Sequence, residues 1–552
     1  MSERLPQSTP MPNRAAFVAA AEGTRFDLLV IGGGATGCGV ARDLALRGRR
    51  VALVEQEDIA SGTSSRSSRL IHGGVRYLEQ GALGLVFEAS AERRRLLRLA
   101  PHLVRPLEFT WPVYEGARIP AWKLGAGLTL YDLLALFRNV GRHRLLNARD
   151  VAAREPRLRR AQLRAGATYW DAATDDARLT LATAIDAIGA GAVVLTHTRV
   201  EGLLREGGRV AGADVTDERS GRRLAVRARV VVNAAGPWSD RIRAMDDPDA
   251  RTGATVRGSK GAHIAVPRDR VGNVGALTLL VPDDGRVFFV LPAERLTIIG
   301  TTDTDTQEPP ESVRASDADV AYLLAAANAY FPEARLTAAD VVSAWAGVRP
   351  LAAQAGASDT PSGASREHAI ARSASGLISV TGGKLTTYRA MAAQIADVVE
   401  RALGGRAGRS PTADRPLPGG AMRDVAAELR AATERTGDAA IAQRLVHAYG
   451  RAWSDVWSRC LTDEPCAERL VADLPFLAGE LRWAVEQELA LTLGDLLIRR
   501  VPIAFELRDH GTSIAPRAAE IVAPLLGWDD AQRQQAVERY AVEAERMFGS
   551  AV

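Results

Sequence analysis

The chain has almost no lysine. Of its 70 basic residues only three are lysine, Lys123, Lys260 and Lys384. Arginine serves wherever a generic cation suffices, so each lysine marks a position that favours a compact ammonium charge. Cysteine is equally sparse. Cys38, Cys460 and Cys466 are too few and too dispersed for a disulfide framework or a metal cluster, and no metal is expected. That usage points to a reducing, cytosolic compartment. Long hydrophobic runs are missing as well. The nearest, residues 119–137, is broken by Lys123 and Asp132, which excludes a transmembrane helix. Residues 15–21 are apolar but short and run straight into a strand, so no signal peptide is expected. Nor is one sign of charge in strong excess. A net charge of +4 on 552 residues requires no nucleic acid and suits an anionic small molecule or membrane surface.

What is present is core-forming material. A hydrophobic content of 47% with 25% charged residues supports roughly two to four globular domains. One stretch carries the most information. Apolar residues 27–31 run into Gly32-x-Gly34-x-x-Gly37, a helical segment follows, and a second strand, 51–54, ends on Glu55. Gly32 permits a tight turn, Gly34 lets backbone approach a pyrophosphate, and Gly37 lets the helix lie close to the strand. The helix N-terminus offers unpaired N–H groups and partial positive charge to phosphate. Glu55 can accept from a ribose diol. The motif predicts dinucleotide binding.

Residues 1–24 read as a mobile tail. Residues 61–78 form a loop dense in hydroxyls and glycine, suited to a pyrophosphate and a planar ring. Residues 88–105 read as a helix with Arg93, Arg94, Arg95 and Arg98 on it. It is either a solvated surface helix or a basic face for anionic lipid. Residues 229–238 repeat the opening pattern of an apolar strand ending in small residues. Residues 255–345 alternate in strand fashion and predict a mostly antiparallel sheet inserted into the nucleotide domain. Residues 377–389 again read as strand, glycine turn and helix. Residues 404–420 read as a linker, and 421–552 as an all-helical domain.

These motifs together resemble the FAD-dependent glycerol-3-phosphate dehydrogenases, the flavoproteins that feed a respiratory quinone pool. The resemblance is carried by Gly32 to Gly37 with Arg42 and Asp43, by residues 63–77, 175–179, 233–238, 300–303 and 347–350, and above all by 381–389. It implies an α/β fold, α+β overall. A Rossmann-like FAD-binding domain at 25–403 would carry an interleaved substrate cap at about 96–170 and 255–345, followed by the helical domain. It implies that FAD, held non-covalently, lies on Gly32, Gly34, Ala35, Thr36, Gly37 and Glu55. Thr63, Ser64, Ser68, His72, Gly73 and Gly74 would continue the site, with Val200, Ala234 and Gly236. Gly382, Gly383, Leu385 and Thr386 would complete it. A helix starting at Gly382-Gly383 would direct its N–H groups at the charge that reduced flavin holds around N1.

By the same resemblance Arg349, Arg366 and Lys384 form a cationic pocket for the substrate phosphate, with Arg76 and Tyr77 near its mouth. The implied reaction removes hydride from C2 of sn-glycerol 3-phosphate and yields dihydroxyacetone phosphate. His72 and His263 are both open as acceptor of the C2 hydroxyl proton, and Lys384 completes the catalytic set. The implied partners are a quinone and the inner face of the cell membrane, held peripherally; a homodimer is left open. Three rivals remain: an oxidase using oxygen, another amine or hydroxy-acid oxidase of this fold, and a flavin-carrying scaffold without turnover.

Overall fold

The computed structural model describes residues 11–549 except 79–80, 136–138, 248–255, 353–367 and 463. The opening pattern folds as strand Arg25–Ile31, helix Ala35–Leu46 and strand Val51–Val54. These belong to an eight-stranded sheet. Its main path runs Ala369–Arg372, Ile378–Thr381, Arg223–Asn233, Arg25–Ile31, Val51–Val54, Val193–Leu195. The last five are parallel. Leu28, Leu29, Val30, Leu53, Val231 and Val232 are fully or nearly fully buried, as a parallel sheet covered by helices requires. Residues of helices Ala35–Leu46, Asp176–Gly189 and Tyr388–Ala402 share this core. Strand Arg223–Asn233 does two jobs. Its first half pairs antiparallel with Arg209–Asp217 and its second half parallel with Arg25–Ile31.

A second sheet of ten strands collects three separate stretches of chain. Leu70–Ile71, Val104–Tyr114, Arg144–Asn147 and Leu163–Thr174 come from the first. Val256–Pro267 through Thr304–Asp305 form the second, and Ser343–Ala352 the third. Among the described residues only the pairing of Ala276–Leu280 with Val104–Tyr114 is parallel. The chain is thus an α/β protein with an inserted, mainly antiparallel sheet and a C-terminal helical region, as expected.

Three expectations are corrected. Residues 14–23, placed in a mobile tail, form helix Arg14–Gly23. Phe17 and Ala21 are buried in the nucleotide core, and Arg14 pairs with Asp217 at 2.7 Å. The helix expected at 88–105 is Leu83–Leu99, and it stops before Pro101, which disfavours helix in the residue ahead of it. Residues 404–420 are irregular but not loose. Arg415 bonds Asp186, Ser410 bonds Asp43, and Leu417 is buried. The C-terminal helices also share a core with the second sheet, where Trp345 meets Phe505 edge-on at 5.2 Å. They are clamped to the nucleotide domain by Arg178–Glu488 and by Arg499 and Arg500 on Asp58.

Candidate active site

Three parallel strands end side by side at Ile31, Asn233 and Thr381, and each runs into small residues. At the first end Gly32 adopts φ +112, and a Cβ there would lie 2.6 Å from the Ala234 carbonyl oxygen. A Cβ on Gly37 would run into the Gly32 carbonyl, so this glycine lets the helix close on the turn. Gly34 differs: its missing Cβ faces only Ser64 Oγ, at 3.3 Å, and it lines open space. Ser64 Oγ accepts from the Ala35 N–H at 3.0 Å and so caps the helix start. Glu55 Oε2 accepts from Gly33 N–H at 2.6 Å and Oε1 from Glu57 N–H at 2.9 Å. Burial raises the Glu55 carboxyl pKa above its usual range. Each of its oxygens keeps a lone pair for a further donor.

All of these ends open into one cavity of about 540 Å³. Its lining includes Gly32, Gly34, Ala35, Thr36 and Glu55, then Thr63, Ser64, Ser68, His72 and Gly74. Val200, Ala234 and Gly236 follow, and Gly382, Gly383, Leu385 and Thr386 close it. Two expected cofactor residues do not reach it. Gly37 serves the turn from behind, and Gly73 donates its N–H to Asp171 Oδ1 at 3.0 Å in the wall. The donor set fits FAD: a phosphate-approach glycine, a carboxylate at the second strand's end, and one shared cavity that also carries cations on its walls. The turn at 72–74 is stitched to the turn at 382–386. His72 N–H donates to Thr386 Oγ1 at 3.1 Å, and that hydroxyl donates to the His72 carbonyl at 3.2 Å. The helix expected at Gly382-Gly383 begins later, at Tyr388, after a 3-10 turn Leu385–Thr387.

Arg349 and Lys384 line the same cavity. Arg349 projects from strand Ser343–Ala352 and is held by Asp303 at 3.2 Å and Thr301 Oγ1 at 2.9 Å. The facing strand carries Gly261, whose Cβ would collide with the guanidinium; a glycine there makes the room. His263 is buried on the same strand as Gly261. It stacks on Trp345 at 5.4 Å and shares a 2.8 Å hydrogen bond between Nε2 and Ser68 Oγ. Its Nδ1 has no hydrogen-bond partner among the described residues. Burial, then the nearby charges of Arg349 and Arg69, push its pKa down to about 3, so the ring is neutral at pH 7. His72 lines the cavity too. Arg366 lies outside the described residues, as do the side chains of Arg76 and Tyr77.

Sequence reasoning missed two features. Phe109, Trp111, Tyr169 and Phe289 bring an aromatic wall from the second sheet to the cavity, with Phe109 stacked on Tyr169 at 5.2 Å. Their strands alternate as any half-buried strand does, so nothing marked them. The other is a buried network behind the 72–74 turn. Asp171 Oδ1 accepts from Gly73 N–H, from Tyr131 Oη at 2.7 Å and from Arg93, which also bonds Asn139. Arg93 is 3% exposed, so it belongs to neither the solvated nor the lipid-facing reading of its helix.

Comparisons with known proteins agree with this geometry. A family described as FAD dependent oxidoreductase matches residues 27–389. The C-terminal domain of alpha-glycerophosphate oxidase matches 410–533. Glycerol-3-phosphate dehydrogenase 2 of Mycobacterium tuberculosis H37Rv is 41% identical over 94% of this chain and 88% of its own length. The mitochondrial glycerol-3-phosphate dehydrogenase of Homo sapiens is 36% identical over 97% and 75%. Among solved structures, glycerol-3-phosphate dehydrogenase from Bacillus halodurans complexed with FAD superposes with a TM-score of 0.79. It is 32% identical and the match covers 97% of both chains. Glycine oxidase from Geobacillus kaustophilus, 22% identical with a TM-score of 0.52 over 72% and 99%, shares the fold alone. Identity of this extent, on a chain whose strand ends build a dinucleotide cradle closed by cations, places the protein in the FAD-dependent glycerol-3-phosphate dehydrogenase family.

Proposed function

We propose that this enzyme oxidises sn-glycerol 3-phosphate to dihydroxyacetone phosphate and passes the electrons to a membrane quinone. The observation that carries the reading is the presence of Arg349 and Lys384 on the walls of the cavity that begins at Glu55 and Gly32. A doubly charged phosphate needs such a pair: Arg349 for a planar two-point contact, Lys384 for a point charge. Arg349 alone would serve a carboxylate equally well; the second cation, Lys384, is what favours a doubly charged phosphate. Arg366, Arg76 and Tyr77 are assigned to the same phosphate and to its entry. When bound, FAD supplies the two-electron acceptor for the hydride leaving C2.

The chain's own residues do the rest. The stitched turns at 72–74 and 382–386 would hold the flavin ring, and N–H groups of the latter turn other than Gly382, which donates to the Pro350 carbonyl, would supply donors for the negative charge of the reduced flavin. His263 takes the C2 hydroxyl proton, with His72 as the competing acceptor. Burial is the main cause of the low His263 pKa; a substrate phosphate on Arg349 would offset only the smaller contribution of that guanidinium's charge. FAD is held non-covalently. The unit at 25–403, its cap at about 96–170 and 255–345, the connection at 404–420 and the helical unit at 421–552 are the working divisions. A water-insoluble acceptor calls for peripheral attachment to the inner face of the cell membrane. No described helix is long and apolar enough to cross a membrane.

Anaerobic addition of glycerol 3-phosphate should bleach the flavin absorbance. An unchanged spectrum would remove the dehydrogenase reading and leave a flavin scaffold. Oxygen-electrode traces with and without a quinone analogue separate the quinone-linked enzyme from an oxidase. Yellow colour retained in acid-precipitated protein would replace the non-covalent assignment.

A further inference from the structure

We propose that helix Ala121–Leu134, with the start of helix Leu83–Leu99 and the strand Arg144–Asn147, forms a docking face for an anionic lipid surface. The inference rests on the membrane-linked reading above and names the surface responsible. Helix Ala121–Leu134 is apolar on two sides. Leu124, Leu128 and Tyr131 are buried in the core of the second sheet. On the opposite side Trp122, Ala126, Thr129 and Leu133 are exposed, at spacings of four, three and four that align them along one helix face. Trp122 is 75% exposed and Leu133 53%. The Thr129 hydroxyl is used by the Gly125 carbonyl, at 2.8 Å. Leu145, 61% exposed, lies over Gly125 and widens the strip. Helix Leu83–Leu99 packs against this helix through Arg93 and Tyr131, and its first turns leave Leu83 and Phe87 exposed. The other large exposed hydrophobics among the described residues, apart from Val140, are Val274, Leu461 and Val542, scattered singly along the chain. Exposed apolar residues aligned along one helix face, with Leu145 beside it, mark an interaction surface, whereas single ones do not.

Charge selects the partner. Among the described residues from 118 to 147, the exposed charged side chains are Arg118, Lys123, Arg142 and Arg144, all cationic; of the neighbouring acids, Glu88 beside Phe87 is half-buried and Glu115 is paired with Arg164. Asp132 is buried and engaged by His143 and Asn139. The whole chain has 70 basic against 66 acidic residues, so a one-sign rim is a local feature. A second copy of the chain would bring the same cations face to face across a twofold axis, which repels. An anionic bilayer complements them, and a tryptophan within an apolar strip is suited to the interfacial layer. Of the three lysines, Lys260 pairs with Asp319 at 2.7 Å and Lys384 lines the cavity; Lys123 is the one on this face.

The test is sedimentation of the FAD-loaded full chain with phosphatidylcholine vesicles, with and without phosphatidylglycerol. The expected result is binding to the phosphatidylglycerol vesicles that weakens with salt. Trp122→Asp combined with Leu133→Asp should reduce binding by about tenfold or more. Arg142→Glu with Arg144→Glu should reduce it by about fivefold per cation or more. Both variants should keep wild-type turnover of glycerol 3-phosphate with a water-soluble dye, which shows that they fold. Wild-type binding by both variants would overturn the proposal. So would a wild-type dimer in light scattering that the Trp122 and Leu133 changes convert to monomer, since the face would then join two copies. Lipid binding lost in these variants, in a protein that fails to oxidise glycerol 3-phosphate, would sink the catalytic reading and leave this one standing.

Discussion

Arg349 is the residue on which the substrate assignment turns. A hydrogen bond to a charged group contributes roughly 1.5–3 kcal/mol. Arg349→Ala should therefore lower kcat/KM for glycerol 3-phosphate about tenfold to a hundredfold. Arg349→Lys should recover only part, because charge remains while the planar fork is lost. Plain glycerol, without the phosphate, should be turned over as poorly by the variants as by the wild type. An equal loss for both substrates would mean that Arg349, through Asp303 and Thr301, supports only the sheet. The two histidines are separated by pH. His263 in the free enzyme is neutral down to about pH 3. As the base it puts no inflection into kcat/KM between pH 5 and 8, once the substrate's own ionisation is corrected for. An acid limb in that range that vanishes in His72→Gln and persists in His263→Asn would assign the base to His72.

At the scale of elements, two buried charge clusters do what no single strand or helix can. Asp171 joins Arg93 and Tyr131 of two helices to the Gly73 peptide. Asp171→Asn keeps the shape but leaves Arg93 buried beside a neutral group. It should weaken FAD retention, read as a rise in the flavin dissociation constant by spectral titration, more than it changes the KM for substrate. The second cluster ties the C-terminal helices to the nucleotide domain. Asp58 is fully buried and accepts from Arg499 Nε at 2.6 Å and from Arg500 at 2.6 and 2.8 Å. Removing one partner of a buried pair costs about 3–5 kcal/mol, because an uncompensated charge stays behind. Asp58→Asn should lower the thermal midpoint sharply. An unchanged midpoint would show that the two regions are not held through this contact.

For the whole molecule the consequence is acid sensitivity. His102 and His263 are buried, and burial pushes each to about 3 from an ordinary value of 6.5. The unfolded chain therefore takes up protons first as pH falls. This contribution to stability is complete above pH 6.5 and declines toward pH 3, with a limiting slope of about 1.4 kcal/mol per pH unit for each histidine. Partly buried His447 adds to it, and His197, whose burial is outweighed by Asp495 so that its pKa is raised, opposes it. The thermal midpoint should fall between pH 7 and 5, and His102→Gln should flatten that decline. A midpoint independent of pH over this range would refute it.

Local pattern determined much of this protein by itself. Gly32, Gly34, Gly37 and Glu55 belong to one continuous strand–turn–helix–strand unit, so their spacing alone reports the dinucleotide cradle. The apolar strands at 229–233 and 377–381 were legible for the same reason, and family resemblance extended the reading to Arg349 and Lys384. What the chain order hides is which distant pieces meet. Nothing near residue 171 shows that it faces Gly73 and Arg93, and nothing near 261 shows a guanidinium filling the space of its absent side chain. The arginine-rich helix was misread at Arg93 because inward and outward arginines look alike until a buried carboxylate claims one. The linker at 404–420 was composition without contacts. Burial, ion pairing and shared cores are sums over residues far apart in the chain, so only the tertiary structure decided them.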